Sequence, residues 1–295
     1  MRWLLLLALL GASGASEARM HHPYRGHRIV PVASAPLDGF TTPSGAYSFR
    51  KLKSTYSGSA IRIRRASDNA ELDIGFLGFT SFTGAPWDEA AAVAHCAATS
   101  CFVKTMYDQS GNARDVVNAT AANQPALNFS CNGPNKPCAE LLDSTDLMSG
   151  SATPGPATGV VSIGGVFRRT TGVGLCSVLR QNGLASSNRI QTANGIANTW
   201  TLAGGTSGTI NATAADAAWH TTAGVINGAS SSLTIDGTTT AGGAVGNTAA
   251  GVLVVSTGTT ATTCSFAEGV FWDNYVLPAA EIAVLNTNQR SFWGF

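Results

Sequence analysis

Acid–base and nucleophilic chemistry needs side chains that can hold or release a proton, and this chain carries few of them. Beyond residue 18 its glutamates are Glu71, Glu89, Glu140, Glu268 and Glu281. Glu268 draws notice because Phe266 and Val270 flank it at alternate positions of an apolar run, so a two-residue period puts all three on one face. A carboxyl facing an apolar cleft there would have a raised pKa and suit a general acid, whereas the same burial also suits a carboxylate held in a structural pair. Asp273 ends the same run. His21, His22 and His27 sit among arginines with neither carboxylate nor cysteine between them, which reads as a solvated leader rather than a metal site. His95 adjoins Cys96, but a bridged cysteine offers no thiolate. There is no zinc-ligand spacing, Gly-x-Ser-x-Gly elbow, Walker loop or strand-anchored dinucleotide fingerprint, so neither metal nor cofactor is expected.

The most specific string is Tyr107-Asp108-Gln109-Ser110-Gly111-Asn112. Asp108 and Ser110 can accept backbone N–H groups and Gly111 can take positive φ, so these residues build a tight turn better than they build a catalyst. Six cysteines in an exported chain predict bridges. Proximity in sequence pairs Cys96 with Cys101 and Cys131 with Cys138, leaving Cys176 with Cys264; free buried thiols are the alternative.

Export itself follows from Met1-Arg2-Trp3, an apolar run from Leu4 to Leu10, and small residues from Gly11 to Ser16. That is a signal peptide over residues 1–18, too short to cross a bilayer. Residues 19–44 read as a basic, then Pro-, Ala- and Ser-rich leader, and 45–295 as one domain long enough to bury a large core. Only 12% of residues are charged and the net charge is +1, which gives no electrostatic reason for nucleic acid as a partner.

The elements that must position these residues are mostly strands. Ala46, Phe49 and Leu52 fall at helical spacing, predicting a short helix over 46–55. Ala60 to Arg64 alternates as a half-buried strand, and a Ser67-Asp68-Asn69 turn leads to Leu72, Ile74 and Phe76. Trp87 to Ala98 reads as helix, with Asp88 and Glu89 in its first turn. After Cys101 come strands over 102–107, 160–167, 174–180, 199–202, 220–226, 232–235, 253–256 and 265–272, then a closing helix from Pro278 to Gln289. Turns at Asn227-Gly228 and Asp236-Gly237 make a meander, with Asp236 a turn residue. Many short strands with few helices predict an all-β sandwich of two antiparallel sheets. Such meanders recur in jelly-roll, lectin-like sandwiches whose concave face holds sugar.

The Cys96 to Cys101 loop followed by Tyr107 to Asn112, preceded by Tyr56-Ser57-Gly58 and Arg65-Ala66-Ser67-Asp68, resembles the catalytic domain of α-L-arabinofuranosidase B, glycoside hydrolase family 54. Phe266 to Val270 looks like that family's late strand. The resemblance implies a concanavalin-like jelly-roll sandwich and release of terminal arabinofuranose from arabinose-containing, plant-type polysaccharide. In that family a Trp lining the sugar site precedes the nucleophilic Glu by about fifteen residues, and a retaining pair holds its carboxyls about 5 to 5.5 Å apart. Trp200 matches the Trp; the same step lands on Ala215, with Asp216 the nearest carboxylate. The family's acid/base Asp falls at Thr257, and its adjacent cysteines at Leu175-Cys176-Ser177. The family's arabinan-binding trefoil is not expected in a chain ending at Phe295. The expectation is therefore a secreted, arabinofuranosidase-like hydrolase with Trp200 as sugar platform and Asp216 with Glu268 as the carboxyl pair. The alternatives are a catalytically silent glycan-binding sandwich and a cell-surface structural module.

Overall fold

The computed structural model describes residues 34–78, 84–142, 145–150, 159–171, 175–182, 187–192, 199–205, 208–246, 252–257 and 263–295. The expected signal peptide and most of the leader lie outside them. Described strands are β1 Gly45–Ser48, β2 Ile61–Arg65, β3 Glu71–Ile74, β4 Cys101–Met106, β5 Val116–Val117, β6 Ala126–Asn128, β7 Cys138–Leu141, β8 Leu147–Gly150 and β9 Val161–Thr171. They continue with β10 Cys176–Asn182, β11 Ser187–Thr192, β12 Thr199–Ala203, β13 Thr209–Ala214, β14 His220–Ile226, β15 Ser232–Ile235, β16 Thr238–Ala241, β17 Val252–Thr257 and β18 Thr263–Asp273. Two α-helices accompany them, α1 Glu89–His95 and α2 Ala279–Trp293.

The ladders between these strands are antiparallel, as the turn-punctuated pattern predicts. One layer runs β16–β15–β14–β9–β18, and β18 also borders β1 and β7 along its other edge. The second runs β13–β12–β11–β10–β17–β8. The layers pack with little space between them: a Cβ on Gly224 of β14 would meet Leu202 Cδ1 at 2.5 Å, and one on Gly269 of β18 would meet Leu179 Cδ2 at 2.9 Å. Glycine at these two places lets the sheets approach. The inner faces form the main apolar core, which includes Ile163, Phe167, Leu179, Ile190, Trp200, Leu202 and Phe271. A second cluster, including Leu52, Val225, Trp272, Ile282 and Leu285, covers the first layer's outer side beneath α2. With both faces covered, β14 and nearly all of β18 are continuously buried, so their sequences show no alternation.

Two expectations are corrected. Residues 46–55 form no helix: β1 pairs with β18 from Gly45↔Phe271 to Ser48↔Glu268. An open edge of β18 offers those residues a ladder, and tertiary pairing overrides the helical spacing. Nor does packing wait for residue 45. Leu37 is fully buried, its N–H donating to Leu52 O at 2.9 Å, and Ala35 N–H donates to Asp38 Oδ2 at 2.6 Å. The other elements expected from sequence fall near their bounds, whereas β5 to β8, β11 and β13 were not expected. In α1, Asp88 caps the first turn by accepting Ala91 N–H at 3.0 Å. The β14–β15–β16 meander has Asp236 at φ 50° and Gly237 at φ 85°, the positive pair that a two-residue hairpin turn requires. The three disulfides join Cys96 to Cys101, Cys131 to Cys138 and Cys176 to Cys264.

Candidate active site

The structure gives Glu268 to the scaffold. It is completely buried on β18, and Arg50 grips it with two donors, Nε to Oε2 at 2.6 Å and Nη2 to Oε1 at 2.9 Å. Ser48 Oγ donates at 3.1 Å, Gln289 Nε2 at 3.0 Å and Trp293 Nε1 at 3.4 Å. Burial pushes this carboxyl up, but the Arg50 charge and the assembled donors outweigh it and hold it below the ordinary range. An ionised group with no exposed atom and its lone pairs occupied can neither attack a sugar nor hand it a proton. The expected role of Glu268 in a catalytic pair is therefore corrected to that of a core ion pair fastening β1 and α2 to β18.

Tyr107 to Asn112 forms a clamp on β1 and the segment after it. Asp108 Oδ1 accepts from Ala46 N and Ser110 N, both at 2.9 Å, while its Oδ2 accepts Ser110 Oγ at 2.7 Å and Arg114 N at 3.1 Å. Gln109 Oε1 accepts Leu52 N–H at 2.8 Å and its Nε2 donates to Ser48 O and Arg50 O at 3.0 Å. Asn112 Nδ2 donates to Pro43 O at 2.9 Å and to Ser110 Oγ at 2.9 Å. Gly111 sits at φ 93°, and Tyr107 Oη donates to Asp73 Oδ1 at 2.6 Å. By holding Ser48 and Arg50, the clamp sets the donors that bind Glu268.

A different grouping gathers around Asp216, on the connection between β13 and β14. Asp216 is 66% exposed at its side chain; its Oδ1 accepts Ala218 N–H at 2.7 Å and meets His220 Nε2 at 2.9 Å. His220, the first residue of β14, is nearly buried and its other nitrogen meets Asp236 Oδ2 at 2.7 Å. Asp236 is fixed in turn by Thr221 N–H at 3.0 Å and by Arg290 Nη1 at 3.3 Å. Burial pushes the imidazole pKa down, but the Asp236 and Asp216 carboxylates outweigh it, and the net shift is upward. The Ala218 N–H and then His220 pull Asp216 down; Asp236 is also lowered, its burial offset by His220, Thr221 N–H and Arg290. The imidazole stands between the two carboxylates, so they do not face one another across open space.

Trp200 is completely buried rather than an open platform. Its indole lies 5.6 Å from the Phe167 ring and 5.3 Å from the His220 ring, the latter edge-on at 68°. It backs the imidazole and helps fix that ring's plane. Arg169 donates from Nη2 to Ala215 O at 2.6 Å, tying down the residue before Asp216. Its Nη1 and Trp200 Nε1 are buried donors without a partner. Arg168 lies over Trp219 at 5.1 Å, and Trp219 Nε1 donates to Cys131 O at 3.3 Å, anchoring the connection from the far side. Of the residues named from sequence, Trp200 and Asp216 thus meet at His220, whereas Glu268 binds to none of them. Sequence reasoning missed His220 and Arg169 and saw Asp236 only as a turn residue, because nothing local marks partners 16 or 46 residues apart.

The family model described as alpha-L-arabinofuranosidase B, catalytic, matches residues 38–142. Alpha-L-arabinofuranosidase B of Emericella nidulans is 37% identical over 93 residues, which is 30% of this chain and 18% of that protein. A solved arabinofuranosidase complexed with arabinofuranosyl-alpha-1,2-xylobiose aligns with a TM-score of 0.62 at 18% identity. A family 54 α-L-arabinofuranosidase soaked with cyclic sulfate inhibitor aligns at 0.61 and 17%. Each alignment covers 83% of this chain and 62% of the solved one. The chain thus spans less than a fifth of the curated relative and under two thirds of the solved structures, and the structural likeness speaks for the fold alone. In motif over residues 38–142 and in β-sandwich fold beyond them, the chain resembles the catalytic domain of α-L-arabinofuranosidase B.

Proposed function

We propose that this protein is an exported, arabinofuranosidase-like glycoside hydrolase acting on terminal arabinofuranose of plant-type polysaccharide, with Asp216 as the carboxylate presented to the sugar. The observation that carries this reading is the state of Asp216. It is largely exposed, held in one orientation by Ala218 N–H and His220, and kept ionised by both. An oriented, ionised carboxylate is what attack on an anomeric carbon, or stabilisation of the cation formed there, requires. His220, whose pKa is raised by the two carboxylates, holds Asp216 in this orientation and balances its charge, and Asp236 orients the ring from behind. The test is release of nitrophenol from a neutral aryl arabinofuranoside. Turnover should fall about a thousandfold or more in Asp216→Asn. Equal rates for the unaltered chain and that variant would remove the hydrolase reading.

A second reading is a sandwich that binds glycan without cleaving it, favoured by one observation: Glu268 is withdrawn into the Arg50 pair. Saturable quenching of tryptophan fluorescence by arabinose oligomers, with no reducing sugar released over days, would select it.

A further inference from the structure

The layer β13–β12–β11–β10–β17 presents two faces. Leu179, Ile190, Trp200, Leu202 and Ile210 point into the core, so by the two-residue period their neighbours point outward. On that outer face Arg180 of β10 stands directly opposite Arg189 of β11 in the ladder. Like charges paired across adjacent strands destabilise a sheet. Here the cost is larger because both guanidiniums are partly buried, and desolvation pushes both pKa values down. The strands of this layer carry no Asp or Glu of their own. Between Asp146 and Asp216 the sequence contains no Asp or Glu, and from Ala217 to Ala267 only Asp236. Asp216 and Asp236 are both bonded to His220.

The hydrogen bonding around the pair is one-sided. Arg189 Nε donates to Gln191 Oε1, which turns the Gln191 amide nitrogen away, and Gln191 stands opposite Ser177 in the ladder. Arg180 Nε, Gln191 Nε2 and Ser177 Oγ are buried atoms without a hydrogen-bond partner. Gln191 is fully buried and Ser177 is 2% exposed. The first two atoms can only donate and the third can. Unmet donors beside two cations call for an acceptor that is also an anion. Alongside lies a neutral hydrogen-bonding row: Gln191 faces Thr201, and Thr201 Oγ1 donates to Asn211 Oδ1 at 2.8 Å, with Asn211 exposed. Hydroxyl and amide side chains in line with a cationic pair suit a sugar ring that carries a carboxylate.

We propose that the outer face of β10 and β11 binds the carboxylate of a uronate-bearing glycan through Arg180, Arg189, Gln191 and Ser177. This rests on the reading of the protein as glycan-directed, and it adds an acidic backbone to the polymer engaged. The test is retention of the full chain on immobilised polygalacturonate, compared with neutral arabinan. Retention should be stronger on the acidic polymer and should fall steeply as salt rises. Arg180→Gln and Arg189→Gln should each weaken polygalacturonate binding roughly tenfold to a hundredfold, the loss expected for one charge-assisted set of hydrogen bonds. Without polymer, each variant should melt no lower than the unaltered chain, since it relieves a like-charge pair. Equal retention on acidic and neutral polymers, or undiminished binding by the variants, would overturn the proposal. So would a lowered melting temperature in both variants, which would mark the guanidiniums as structural. Protection by inorganic sulfate or phosphate with none by polygalacturonate would also overturn it, by assigning the site to free anions. Nitrophenol release from the neutral arabinofuranoside is read separately and bears on hydrolysis alone.

Discussion

Replacing Glu268 by Gln separates a scaffold carboxylate from a catalytic one. The substitution keeps the shape but leaves Arg50 as a buried cation without its anion, both side chains having zero exposure. Two Arg50 donors, Ser48, Gln289 and Trp293 all converge on the carboxylate, so an amide, which brings two hydrogens of its own, meets donor against donor. Removing one partner of such a pair costs about 3 to 5 kcal/mol. In a domain of this size each kcal/mol moves the melting temperature by roughly 2 to 4 °C, which puts the expected fall at about 6 to 20 °C. The pH dependence has a definite sign. The folded pKa of Glu268 is depressed, so its contribution is present above the unfolded value near 4.3 and is lost as pH falls through the lower folded value. Calorimetric scans of both proteins should therefore show a constant gap above about pH 5 that closes only in stronger acid. The double replacement Arg50→Met with Glu268→Leu should cost less than Glu268→Gln alone, because no charge is stranded. A melting temperature within 2 °C of the unaltered protein, combined with abolished turnover, would refute this reasoning and return Glu268 to the chemistry.

Other perturbations have equally specific outcomes. In His220→Gln, the loss of melting temperature should be greatest between about pH 4 and 6.5, where the carboxylates are ionised and the imidazole charged. It should shrink in acid as Asp236 and Asp216 protonate through their lowered pKa values, and again as pH rises through the raised pKa of His220. Trp200→Ala should cost about 3 to 5 kcal/mol in urea unfolding, as for other fully buried aromatics, and Trp200→Phe distinctly less. Replacing Cys176 and Cys264 together by Ala opens a link between residues 88 apart, and should lower stability by about 2 to 5 kcal/mol in non-reducing denaturant titration.

How far the sequence discloses the fold depends on which faces are covered. Where one face is solvated, as in Ile61–Arg65, alternation is plain and the strand is read correctly. Where both are buried, as in β1, every position is buried, and apolar spacing mimics a helix. β11 and β13 were not expected because Ser-Asn-Arg-Ile-Gln-Thr and Thr-Ile-Asn-Ala-Thr-Ala are too polar to resemble strands until their outer face is seen. The Arg50 to Glu268 pair, 218 residues apart, has no local signature, and neither does the meeting of Asp216 with His220 and Asp236. What was legible near the site was residue type: a lone Asp beside a Trp-His pair at a strand start.

The position of β18 along the chain has a bearing on biogenesis. Residues 263–273 supply the ladder partner of β1, an edge of β7 and an edge of β9, together with Cys264 and Glu268. β2 pairs early with β3 and β4, but β1 meets its own ladder partner only after more than two hundred further residues, Ser48 and Glu268 being 220 apart. Contacts of such long range form slowly. The sandwich is therefore completed late in the chain, and the Cys176 to Cys264 disulfide can form only after β18 has been made.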